Sequence, residues 1–148
     1  MKEKVLIGRV DIIDLPEFGL KEIKAKIDTG AYTSSIHCSR IKLINENDQQ
    51  LISFQLPASK IHGLTSRQFK TSNFKRKNVK SSSGHVEKRF VIKTSVKLFN
   101  RKILTEFSLT DRSTMKYPVL LGRKLLSRKF VVDVSQKNLS FKNNRKNS

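Results

Sequence analysis

Apolar and polar positions alternate along most of this chain. Ile23-Lys24-Ala25-Lys26-Ile27 is the clearest case, apolar at every second residue, as a strand with one buried face requires. Val5-Leu6-Ile7 and Val10-Asp11-Ile12-Ile13 read as a first strand with a bulge at Gly8, and Pro16-Glu17-Phe18-Gly19 carries turn chemistry. Ile41-Lys42-Leu43 and Leu51-Ile52-Ser53-Phe54 flank a polar stretch, the pattern of a hairpin. Residues 89–99 and 103–109 flank Asn100-Arg101-Lys102 in the same way, and Phe130-Val131-Val132-Asp133-Val134 and Leu139-Ser140-Phe141 close the series. Only residues 123–128 read as helical. Many short strands separated by turn signals, without an internal repeat, predict an all-β fold: a closed or partly closed barrel with one short C-terminal helix. The pattern predicts one domain over residues 1–141, followed by a basic tail, 142–148, expected to lack fixed structure.

Two short segments break the alternation and carry chemistry. Asp28-Thr29-Gly30-Ala31 follows the apolar end of the Ile23–Ile27 run and precedes the small residues Thr33-Ser34-Ser35. A carboxylate there sits on a tight loop, with Gly30 allowing close backbone approach and Thr29 able to brace the loop by hydrogen bonding. Further along, Pro118-Val119-Leu120-Leu121-Gly122-Arg123 is an apolar run ending at a glycine, followed by Lys124-Leu125-Leu126-Ser127. In this order the two resemble the retropepsin aspartic peptidases. Lys26-Ile27-Asp28-Thr29-Gly30-Ala31, Ser83-Gly84-His85-Val86-Glu87-Lys88-Arg89, and the block from Leu109-Thr110-Asp111-Arg112 through Met115-Lys116-Tyr117-Pro118 to Gly122-Arg123 together resemble the RimK-associated retropepsin-like family. That family is often labelled an ATP-dependent zinc protease. The likeness extends over almost the whole chain.

The resemblance implies a mechanism that one copy of this chain cannot complete. Aspartic peptidase chemistry uses two carboxylates sharing a proton, one ionised to take a proton from water and one protonated to polarise the scissile carbonyl. No second Asp-Thr-Gly or Asp-Ser-Gly occurs in the sequence. The expected solution is a two-fold homodimer in which Asp28 meets its own copy, with Thr29 and Gly30 holding the carboxylates. The family's associated RimK-type ATP-grasp ligase adds glutamates to a protein C-terminus, so the implied substrate is an acidic, oligoglutamate tail. Ala31, Arg89, Arg112, Lys116 and Arg123 are the candidate substrate-binding residues. In the viral relatives an acidic residue just after the Asp-Thr-Gly-Ala loop pairs with the arginine of the Gly-Arg turn. Here that place is taken by Tyr32, which leaves Arg123 either to bind a substrate carboxylate or to pair with another acid such as Asp111 or Glu87.

Charge changes the picture of the partner. The chain has 31 Lys and Arg against 12 Asp and Glu, a formal net charge of +19. Such an excess points to a polyanion, and nucleic acid and an acidic peptide are the two classes that fit; the family resemblance favours the peptide. Residues 60–83 are strongly basic with Phe69 and Phe74 interleaved, and read either as a flap or rim that gathers an acidic chain or as a solvated loop. In the contending reading the chain is a non-enzymatic basic β-barrel that binds nucleic acid, or an inactive peptidase homologue that only binds. One cysteine, Cys38, excludes an internal disulfide and, with no signal-peptide core or run of about 20 apolar residues, predicts a cytoplasmic protein with no membrane span. His37, His62 and His85 are far apart and none opens a His-Glu-x-x-His motif, so no metal site is expected. No Walker spacing precedes a Lys-Ser or Lys-Thr, and no cofactor is expected.

Overall fold

Most of the period-two segments form strands in the computed structural model, which describes residues 3–56, 67–80, 83–111 and 116–146. Twelve strands are described: β1 (Val5–Ile7), β2 (Val10–Leu15), β3 (Leu20–Ile27), β4 (Ser34–His37), β5 (Ser39–Glu46), β6 (Gln49–Leu56), β7 (Arg67–Thr71), β8 (Phe74–Lys80), β9 (Val86–Leu98), β10 (Arg101–Thr110), β11 (Val119–Leu121) and β12 (Phe130–Val132). Helices α1 (Arg123–Leu126) and α2 (Leu139–Lys146) and a 3₁₀ turn, Pro16–Phe18, complete the elements.

Seven strands lie in the order β10-β4-β11-β3-β2-β9-β8, and β10 also pairs with β9. The extra pairing closes six of them into a ring with β8 outside, the barrel that the strand pattern predicts. The β9–β10 hairpin turns at Phe99 and Asn100, both left-handed (φ 50° and 60°), and β5–β6 turns at Asn47 and Asp48 (φ 51° and 61°). Two consecutive left-handed residues match the twist of the flanking strands. A separate sheet, β5-β6-β7, packs against the barrel through Phe18, Phe54 and Phe69, whose ring centroids lie 4.9–6.1 Å apart. Ile52, Phe54 and Leu56 of this sheet share one buried cluster with Ile13, Leu15, Ile23, Ala25, Phe107 and Leu121. Alternation explains the match: on β3 the apolar residues are buried and the lysines exposed.

Three expectations need correction. Gly8 is a break between two strands in different sheets, since β1 pairs in parallel with β12 while β2 joins the barrel. A side chain at Gly8 would place its Cβ 2.3 Å from the Gln136 carbonyl oxygen, which accepts the Arg9 N–H at 2.9 Å. Residues 139–141 form no strand. They begin α2, which continues into the stretch expected to be structureless and makes a second helix. Asp11, buried on β2, causes this: its carboxylate accepts the N–H groups of Ser140 (2.9 Å) and Phe141 (3.2 Å), satisfying orphan donors of the helix's first turn. Burial raises the Asp11 pKa, against the lowering by the Ser140, Ile12 and Phe141 N–H groups. Third, where the basic segment 60–83 is expected to be a flap or a solvated loop, its residues Arg67–Thr71 and Phe74–Lys80 are the strands β7, paired with β6, and β8, paired with β9; residues 60–66 and 81–82 of it lie outside those described.

Candidate active site

Asp28 is the first residue past β3, and the apolar alternation of that strand ends where the acid begins. Its turn closes on itself. Asp28 Oδ1 accepts the Gly30 N–H at 3.0 Å, and the Asp28 carbonyl accepts the Ala31 N–H at 3.3 Å. These bonds fix the carboxylate's direction from within four residues, while Asp28 keeps partial exposure and Thr29 and Gly30 are exposed.

The second apolar-glycine segment braces the turn from the far end of the sequence. β11 lies between β3 and β4, parallel to the first with Leu121 opposite Ile27 and antiparallel to the second with Leu120 opposite Ser35. The Asp28 N–H donates to the Leu121 carbonyl at 2.9 Å. The N–H groups of Arg123 and Lys124 donate to the carbonyls of Ala31 and Tyr32, each at 2.9 Å. The Gly122 N–H donates to Ser34 Oγ at 3.0 Å, a bond buried from water. Gly122 has an ordinary extended backbone, so close approach is what demands glycine: a Cβ would lie 2.7 Å from the Tyr32 oxygen, 2.9 Å from the Ala31 oxygen and 2.9 Å from the Thr33 carbonyl carbon. The Asp-Thr-Gly-Ala and Gly-Arg motifs are thus two halves of one backbone-locked unit.

Arg123 pairs with neither Asp111 nor Glu87. Its Nη1 donates to the Thr29 carbonyl at 2.9 Å, and the guanidinium lies over the Tyr32 ring, 5.9 Å from the centroid. Tyr32 therefore offers a π face where the viral relatives offer a carboxylate, and Arg123 stays in place as a turn brace. Thr29 contributes its carbonyl to this bond. Arg89 is on β9, its side chain largely covered and bound to Glu87 at 2.8 Å. Lys116 is exposed, its Nζ 5.6 Å from the Tyr117 ring centroid. Arg112 lies outside the described residues. Ala31 is half-buried within the Asp28 turn. Of the eight candidates, Asp28, Thr29, Gly30, Ala31 and Arg123 come together.

Ser34 was missing from those candidates although it stands in the small-residue stretch after the turn; the signal was a buried hydroxyl opposite an extended glycine, which only the fold reveals. Beside the same turn, Lys124 and Lys77 both bind Glu106 of β10, Lys77 at 2.8 Å. The Lys124 and Lys77 hydrogen bonds hold the Glu106 pKa down to about 2. Cys38, by contrast, is buried, and burial, then the Asp111 charge, pushes its thiol up to about 12, so it offers no thiolate at neutral pH. Among the described residues no group of three or more His, Cys, Asp or Glu could hold a metal ion, and no helix is long and apolar enough to cross a membrane. His62 is outside the described residues.

Comparison with known proteins agrees with this fold. A family model described as RimB-like, retropepsin-like aspartic endopeptidase RimB, matches residues 6–143. A protein of Shewanella halifaxensis named "Probable alpha-L-glutamate ligase" is 35% identical over 90% of this chain. Proteins of the same name from Desulfotalea psychrophila and Parasynechococcus marenigrum are 34% and 32% identical over 88% and 90% of it. The chain spans only 28–29% of the length of these relatives. The crystal structure of a Legionella pneumophila protein of unknown function (DUF785) shares the fold, with a TM-score of 0.73 at 24% identity, covering 93% of this chain and 99% of that one.

Proposed function

We propose that this chain, which belongs to the RimB-like family of retropepsin-like aspartic endopeptidases, hydrolyses peptide bonds in acidic, oligoglutamate protein tails as a two-fold homodimer with Asp28 at its centre. The observation that carries the reading is the locked turn: a partly exposed carboxylate aimed by Gly30, in a turn held by backbone bonds to Leu121, Arg123 and Lys124. Such preorganisation is what a carboxylate that must meet its symmetry mate at fixed geometry requires.

In the dimer, one Asp28 takes a proton from water as the water oxygen bonds to the scissile carbonyl carbon. The other, protonated, gives its proton to the carbonyl oxygen. Proton transfer to the amide nitrogen then accompanies breakage of the carbon–nitrogen bond, and the pair returns to sharing one proton. Leu6 and Val131, directly paired on β1 and β12 and 47% and 51% exposed, supply apolar surface on which a second copy can close. A net charge of +19 suits an acidic substrate, and the relatives' name supports a glutamate-adding ligase as the enzyme whose product is trimmed. The reading sets the reaction in the cytoplasm, with no cofactor.

The test is to incubate the purified chain with an oligoglutamate peptide and follow its mass. Cleavage is expected, with activity per chain falling on dilution through the dimer dissociation range. Asp28→Asn, nearly isosteric, should lower the rate by at least about 10³-fold while the protein stays folded and still binds peptide. Retained hydrolysis in Asp28→Asn, or no cleavage alongside tight single-stranded RNA binding with a steep salt slope, overturns the reading.

A further inference from the structure

A second cation-bearing feature lies one strand beyond the Asp28 turn. β5 pairs with β6 with Ser39 opposite Gln55 and Lys42 opposite Ser53, so three steps on β5 face two on β6. The extra residue makes a bulge, and Arg40 within it adopts a left-handed backbone (φ 53°), unusual for an arginine. Bulges re-aim side chains, and this one opens a cavity of about 230 Å³ lined by Arg40, Lys42, Phe54, Gln55 and Gln68. Phe54, with no exposed surface, gives an apolar lining, and Gln68 is oriented by donating from Nε2 to Ser53 Oγ at 2.9 Å. The volume is below the roughly 300–1,000 Å³ of a drug-sized ligand site and suits a single side chain.

The cavity has two cations and no acid of its own. All 12 carboxylate residues of the sequence are among the described residues, and none forms an ion pair with Arg40 or Lys42 there. The contrast is a cavity of about 210 Å³ beside α1, where Lys124 is already bound by Glu106. Arg40 presents a planar fork that takes a carboxylate through two parallel hydrogen bonds. Arg40 follows Ser34 by six residues of mostly extended chain, so it lies within about 20 Å of the Asp28 turn's Ser34 brace, the span of about six extended peptide residues.

We infer that the Arg40 bulge cavity binds one carboxylate of the acidic tail, a glutamate side chain or the terminal carboxylate, several residues from the bond cut. This rests on the peptidase reading above and names a specificity residue for it. Arg40→Asn removes the fork but keeps a residue that tolerates the left-handed backbone. The probe is a fluorescein-labelled decaglutamate peptide, its affinity read by anisotropy on full-length Asp28→Asn protein so that no turnover intervenes. Adding Arg40→Asn should weaken binding about tenfold, Arg40→Lys less, and Lys42→Gln measurably; Lys137→Gln, on the exposed C-terminal segment, controls for net charge.

A C-terminally amidated peptide separates the two sources. If Arg40→Asn still weakens it tenfold, the cavity reads a side chain; if amidation itself costs the tenfold and Arg40→Asn then costs nothing more, it reads the terminus. Equal effects of Arg40→Asn and Lys137→Gln on both peptides overturn the inference, as does an unchanged KM for oligoglutamate in an Arg40→Asn enzyme with Asp28 intact. Absence of cleavage with Arg40-dependent binding preserved refutes the peptidase reading and leaves the cavity standing.

Discussion

The Asp28 turn and the Arg40 bulge are joined by a single strand, β4, yet they are built by opposite means. The turn is fixed by backbone: Asp28, Ala31, Tyr32, Leu121, Arg123 and Lys124 exchange main-chain bonds, and Gly122 is the point of closest approach. The bulge is an interruption of backbone pairing whose content is side-chain charge at a half-open surface. A group that does chemistry needs position to fractions of an ångström, whereas a group that reads charge needs exposure and a partner. The difference predicts that the first region carries stability and the second does not.

The largest effect belongs to Gly122→Ala. Its Cβ would meet three backbone atoms within 3 Å, none able to swing aside as a side chain would, so the turn pair must separate. A loss of about 3 kcal/mol of unfolding free energy is expected, with peptidase activity lost too, measured by urea denaturation and the oligoglutamate assay. A near-neutral result would break the comparison, since it would mean the turn is not backbone-locked.

An intermediate effect is expected at Glu106, which links β8, β10 and α1 next to the turn. Its pKa is depressed to about 2 from 4.5, so its stabilisation is complete above about pH 5 and is lost as pH falls toward 2. Thermal melts from pH 7 down to pH 2.5 should show Tm falling, and Glu106→Gln should lower stability by about 1–2 kcal/mol at pH 7 and make the low-pH limb shallower. An unchanged limb would assign acid sensitivity elsewhere. The smallest effect is that of Arg40→Asn and Lys42→Gln on stability, within about 0.5 kcal/mol. If either unfolds the protein as Gly122→Ala does, the two regions are not distinct in kind.

The same distinction decides what could be read from the sequence. Backbone constraints leave composition marks: Asp28-Thr29-Gly30-Ala31 and Leu121-Gly122 announce a tight turn and a close approach, and Lys24 and Lys26 between Ile23, Ala25 and Ile27 announce a strand face. The barrel followed from such marks. Arg40 left none, because a bulge is a property of how β5 pairs with β6 and not of either strand alone. Helix α2 was missed for a related reason: Leu139-Ser140-Phe141 alternates like a strand, and its helical cap is Asp11, 129 residues earlier. Arg123, expected either to bind a substrate carboxylate or to pair with an acid such as Asp111 or Glu87, instead donates to the Thr29 carbonyl, a neutral acceptor that no charge pattern marks.

The bracing of Asp28 by Leu121, Gly122 and Arg123 also orders events in time. Arg123 and Thr29 are 94 residues apart in sequence, and β1 must wait for β12 to pair. Closing contacts of such separation is slow and comes late, after local hairpins such as β9–β10 have formed. A chain still emerging from the ribosome, or cut before Leu121, holds an Asp28 whose turn has lost its cross-braces. The turn is fully braced only when the chain through Lys124 is present, so on the peptidase reading proposed above unfinished molecules do not cleave.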